Sequence, residues 1–137
     1  MVKRLMQKCV KLRPGDAYSG KQGFNYFEGI AKETVGSDKI CMHLLTVPPG
    51  GRAKAHKHKS HETAIYVLSG SAKMYWGEKL EHVMETNAGD LIYIPAGTTH
   101  LPFNDGVEPA VAVIARTDPN EQESVILLPE LEKLVPK

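Results

Sequence analysis

The chain has 137 residues, enough to bury one core and too few for two. Apolar residues make up 42% and charged residues 24%, a balance that excludes disordered and collagen-like chains. Net charge is +1 with no block of like charges, so no nucleic-acid or membrane partner is expected and a small-molecule ligand is.

Chain order begins with a basic stretch whose apolar residues never run for the seven or so positions of a signal peptide, and no segment nears the twenty or so of a membrane span. The expectation is a protein without export, in the cytoplasm. Cys9 and Cys41 stand far apart and outside CxxC spacing, which suits a reducing compartment and two small packed hydrophobes.

Glycine and proline then punctuate the chain regularly, at Pro14-Gly15, Gly20, Gly23, Gly36, Pro48 to Gly51, Gly70, Gly77, Gly89, Pro95 to Gly97, Pro102 and Gly106. Between these breaks lie short runs rich in β-branched and aromatic residues, at 40–47, 63–68, 72–76, 91–94 and 110–115, each of which reads as a strand. Short strands spaced about ten residues apart predict an all-β sandwich, barrel or jelly roll. In the tail, Pro129 opens a brief helical turn too short to carry a core, read as a surface extension. The two ends are expected to pack on the barrel or on a partner subunit.

Three of the six histidines, His56, His58 and His61, fall within six residues of one another. In a strand His56 and His58 point the same way, about 7 Å apart, close enough to share one ion; on a helix they diverge. Because Arg52, Lys54, Lys57 and Lys59 are interleaved with them, a solvated basic loop is the plain alternative. Two imidazoles alone make a weak metal site, so further ligands have to come from elsewhere. About forty residues on, a strand ends at Pro95, the chain turns at Gly97, and His100 follows.

Gly89, Pro95, Gly97, His100 and Asn104 match every position of the second motif of the cupin superfamily, which this sequence resembles. Gly50, His56, His58, Glu62 and Gly70 follow the first motif with one position off. The resemblance implies a double-stranded β-helix, a jelly-roll barrel. It makes 1–137 one domain, with a barrel core at about 38–116, an N-terminal arm at 1–20 and a C-terminal tail at 119–137. It also implies one divalent transition metal (zinc, iron, manganese, nickel or copper) on His56, His58, Glu62 and His100. Counting back from Gly70 puts the carboxylate position on Thr63 instead, a poor ligand, and strand alternation sets Thr63, Ile65 and Val67 on the face of His61, so a bulge is needed to turn Glu62 inward. His61 is the reserve ligand.

Of the remaining polar residues, His43 in a core strand reads as a hydrogen-bonded structural histidine and His82 as exposed. Arg116 is either a salt-bridge partner or an anchor for an anionic substrate. Ile65, Val67, Ile92 and Phe103 are expected to wall a cavity. The resemblance also implies a homodimer. Functionally it points to a metal-dependent enzyme on a small organic substrate, of dioxygenase, isomerase or cyclase type. A non-catalytic ligand-binding or sensing module, its metal structural or absent, is the alternative.

Overall fold

A computed structural model describes residues 8–13, 17–19, 25–120 and 125–136, with the backbone alone at 17–19 and 25–28. The turn signals at Pro14, Gly15, Gly20 and Gly23, and parts of the arm and tail, lie outside the described residues. The described chain forms β1 (Ala17–Ser19), β2 (Asn25–Ile30), a short helix α1 (Lys32–Val35), β3 (Cys41–Val47), β4 (His56–His58), β5 (Thr63–Ser69) and β6 (Ser71–Trp76). It continues through β7 (His82–Asn87), β8 (Leu91–Ile94), β9 (His100–Phe103), β10 (Ala110–Arg116), β11 (Val125–Leu127) and a 3₁₀ helix (Pro129–Leu134).

The strands make two antiparallel sheets, in the orders β1-β2-β3-β10-β5-β8 and β11-β4-β9-β6-β7. From β3 onward the chain crosses repeatedly from one sheet to the other, which is how a jelly roll closes its core between two layers. The five apolar runs of the sequence appear as β3, β5, β6, β8 and β10, each within one residue of the expected limits. Alternation sorts their side chains: in β3, Cys41, His43, Leu45 and Val47 are buried while Met42 and Thr46 are exposed. No helix among the described residues is long and apolar enough to cross a membrane, a statement that leaves strands aside.

Two apolar clusters hold the layers. Leu45, Val47, Ala53, Ala110 and Ile114, with Ile65 and Ala72, fill the interior. Ala55, Leu80, Leu101 and Val135, with Tyr75, Phe103, Leu128 and Leu131, form a second cluster. Val135, Leu128 and Leu131 belong to the tail, which is therefore no surface extension: Val135 is buried and Leu101 beneath it has no exposed surface. Burial of a leucine of this kind stabilises by about 1.5–3 kcal/mol. Arg52 clamps the same segment, donating to the carbonyls of Glu132 at 2.7 Å and Pro136 at 3.2 Å.

Between β5 and β6 the chain reverses at Gly70, where φ is +76° and an added Cβ would lie 2.2 Å from the carbonyl oxygen of Pro109. Only glycine fits both conditions. Upstream of the turn, β5 carries Thr63, Ile65 and Val67 on its inward face, in register with β10 and β8.

Candidate metal centre

β4 turns His56 and His58 to the inside of the barrel, as period-two alternation requires. In β9, His100 stands opposite His56 in register. The rings of His56 and His100 are 4.2 Å apart, those of His56 and His58 5.2 Å, and those of His58 and His100 5.5 Å. One nitrogen from each of the three lies within 4.8 Å of the others, which gathers the three rings about one point. Each of the three residues is 3% exposed or less.

Backbone bonds tie the two segments together. The Gly97 N–H donates to the His58 carbonyl at 2.8 Å. Asn104 and the Gly50-Gly51 turn exchange bonds, Gly50 N–H to Asn104 O and Asn104 N–H to Gly51 O, each 2.8 Å. The Asn104 side chain, fully buried, donates to Val47 O and Glu108 O and accepts from Gly106 N–H. Glycine and asparagine of the two motifs thus fasten the loops that carry the histidines.

The rings are held in the uncharged form. His56 Nδ1 meets Lys54 O at 2.7 Å and His100 Nδ1 meets Thr98 O at 2.9 Å. A carbonyl only accepts, so both Nδ1 atoms carry the proton and each Nε2 keeps a lone pair. Among the described residues neither ring nitrogen of His58 has a hydrogen-bond partner. Burial first, and the positive charge of Arg116 among the lesser causes, holds His56 and His58 well below the usual histidine range and His100 at about 4. All three are therefore uncharged near neutral pH, the state in which imidazole binds a metal.

Glu62 does not join them. Pairing of β5 with β8 and β10 runs without a shift from Thr63 to Tyr66, so no bulge turns the strand start, and alternation leaves Glu62 outside. Its exposed carboxylate accepts a 2.5 Å hydrogen bond from Tyr93 Oη. Thr63 points inward in its place, 3% exposed, its Oγ1 meeting no hydrogen-bond partner among the described residues. His61 is buried beside the cluster, its ring 4.4 Å from that of His58 and its Nδ1 3.2 Å from Asp118 Oδ2.

A cavity of about 40 Å³ adjoins the cluster, lined by His56, His100, Thr63 and Arg116 and by apolar side chains that include Ile94 and Ile114. A second, apolar space of about 70 Å³ shares Leu45, Ile65, Pro102 and Ile114 with it and reaches Val67 and Ile92. Phe103 lines neither: in β9, His100 and Pro102 face in, so Phe103 faces out, packing with the tail beneath Arg52. His43 is buried inside, held at about 3 by burial and then by Arg116. His82 is exposed and stacks on Trp76 with ring centroids 4.3 Å apart. Cys41 is buried as expected, whereas Cys9 is exposed.

Fold and site together define a double-stranded β-helix barrel with an inward-facing histidine cluster. The chain belongs to the cupin domain family, whose sequence model matches residues 43–115. It is 35% identical to oxalate decarboxylase of Bacillus subtilis over 77 residues, 55% of this chain and 20% of that enzyme. To acireductone dioxygenase 1 of Nocardia farcinica it is 37% identical over 60 residues, 43% of this chain and 31% of that enzyme. The chain thus spans a minor part of either relative. An uncharacterised protein of Methanocaldococcus jannaschii is 30% identical over 90 residues, 66% of this chain and 70% of its own. Among solved structures, a double-stranded β-helix protein of Klebsiella pneumoniae superposes with a TM-score of 0.60 at 20% identity, covering 86% of this chain and 89% of its own. Oxalate decarboxylase of Lactobacillus farciminis does so with a TM-score of 0.69 at 22% identity, over 88% and 36%. At these identities the structures support the fold alone.

Proposed function

We propose that His56, His58 and His100 hold one divalent transition metal ion and that the protein is a metal-dependent enzyme acting on a small organic molecule. The observation that carries this is the convergence of three buried, neutral imidazoles, two of them with Nε2 left as the open lone pair by a backbone carbonyl on Nδ1. Glu62 has no part in the proposal, because its carboxylate is engaged outside the barrel. An ion on three histidines supplies a Lewis acid with positions left for an outside ligand. The protein's own contribution is to keep the rings uncharged and oriented, and to keep water scarce with Leu45, Ile65, Ile94 and Ile114.

Zinc, iron, manganese, nickel and copper all suit imidazole donors; the relative in Bacillus subtilis has Mn(II) centres, which makes manganese a first metal to try. We place the protein in the cytoplasm, on its two cysteines outside any disulfide. We also read it as a homodimer, on the outward Tyr66, Leu68, Leu91 and Tyr93 of neighbouring β5 and β8.

Metal analysis of purified protein tests the reading. The expected result is one ion per chain, lost in a His56→Ala/His100→Ala double variant whose far-ultraviolet circular dichroism is unchanged. A wild-type protein that takes up none of the five metals sinks the proposal. An ion whose removal unfolds the barrel assigns it to structure instead of catalysis.

A further inference from the structure

We infer that Arg116 and Thr63 form an anion-binding subsite beside the histidine cluster, so that the small molecule the barrel accepts is a carboxylate. The inference rests on the enzyme reading for its meaning, though the subsite can be tested apart from the metal. Arg116 closes β10 and Thr63 opens β5, and the two are register partners. On one face of an antiparallel pair, opposed side chains have Cβ atoms about 4.5–5.5 Å apart. Both face the interior, 4% and 3% exposed, and both line the cavity that His56 and His100 also line.

Each contributes what a carboxylate needs. A guanidinium carries five N–H donors in a planar fork that matches the two oxygens of a carboxylate. The Thr63 hydroxyl is buried with no hydrogen-bond partner among the described residues, so an arriving acceptor satisfies a group that is otherwise costly to bury. Arg116 brings its positive charge to the cavity that His56 and His100 also line. Among the described residues no carboxylate lines the cavity to oppose it.

Size narrows the class. A cavity of about 40 Å³ holds roughly three water-sized groups, since one takes about 10–15 Å³ by this measure, so it admits a carboxylate and little more. The adjoining space of about 70 Å³ is walled by Val47, Val67, Ile92 and Ala112 and suits a short apolar remainder. The ligand class is accordingly a small monocarboxylate with an aliphatic tail, its head on Arg116 and Thr63 beside the three histidines.

Calorimetric titration with acetate and with acetamide, its uncharged analogue of equal size, tests this on chelator-treated and on zinc-loaded protein. Acetate is expected to bind at least about tenfold more tightly than acetamide in both forms, as one charge-assisted contact predicts. Thr63→Val, which keeps the shape and removes the hydroxyl, should weaken acetate about fivefold and leave acetamide unchanged, and Arg116→Gln should remove the preference for acetate. Should Arg116→Gln fail to fold, Thr63→Val decides alone. Equal binding of the two probes, or acetate binding indifferent to Thr63→Val, overturns the subsite. Acetate bound only in the zinc-loaded form and insensitive to both variants overturns it too, while leaving the metal centre standing. Conversely, binding that depends on Thr63 in a protein that takes no metal keeps the subsite and sinks the metal reading.

Discussion

His56 and His100, forty-four positions apart in the chain, face each other across β4 and β9 with their rings 4.2 Å apart, and each gives its Nδ1 proton to the carbonyl two residues before it. The same local device orients both rings, so the shared centre depends on strand register and not on any side-chain bond between them. Slipping β4 by one residue against β9 would turn Lys57 inward and both of its histidines out.

Replacing one of these rings is therefore expected to cost more than the loss of an outer partner, which lowers metal affinity about 10–100-fold. His100→Ala should weaken zinc by more than about 100-fold in competition with a chromophoric chelator. Zinc at about 100 times its Kd should add about 2.7 kcal/mol to wild-type stability and nothing to the variant. Equal thermal shifts in the two proteins contradict the assignment.

Acid sensitivity follows from the buried rings. His43 is held at about 3 and His100 at about 4, against an ordinary 6.5, with burial the leading cause for each. The unfolded chain then binds protons that the folded one refuses, so stability is full above 6.5 and falls as pH drops from there towards the folded values, at about 1.4 kcal/mol per unit for each ring. Denaturant titrations of metal-free protein should show this loss, and His43→Leu should lower the slope by one proton's share. An unchanged slope counts against a neutral His43.

Glu62→Gln should leave metal content as in the wild type, because the carboxylate points away from the cluster and towards Tyr93. Its effect falls on Tyr93, whose hydroxyl the carboxylate holds above the usual tyrosine range. Ultraviolet titration should find the Tyr93 ionisation shifted down in the variant. Loss of the metal would restore Glu62 as a ligand.

Asn104 is expected to matter more to stability than its size suggests. Its side chain makes three hydrogen bonds at a site without exposed surface, to Val47, Glu108 and Gly106. Asn104→Ala leaves those backbone groups without partners and should cost about 3 kcal/mol or more, read from urea midpoints. A cost under about 1 kcal/mol would mean that Val47, Glu108 and Gly106 find other partners for these groups.

Much of this was legible in the residues. β-Branched runs between glycine and proline breaks placed β3, β5, β6, β8 and β10, because alternating burial and turn chemistry are local properties. β7 and β9 were not legible: one is mostly polar and the other contains Pro102, so each is a strand through its partner in β6. The same alternation that paired His56 with His58 favoured Thr63 over Glu62 as the inward residue, and the resemblance favoured Glu62.

What the sequence determined by itself was the class of barrel and the identity of its three histidines, since spacing along a strand sets which side chains share a face. Tertiary structure decided how polar residues distant in the chain come to share the interior with them. Arg116 and Thr63 are fifty-three positions apart and become neighbours only through the β5–β10 register, and Leu101 shares its cluster with Leu128, Leu131 and Val135 of the tail. Faces are set by the local period of the backbone, whereas neighbours are set by pairing and closure of the sheets, which no short window of residues encodes.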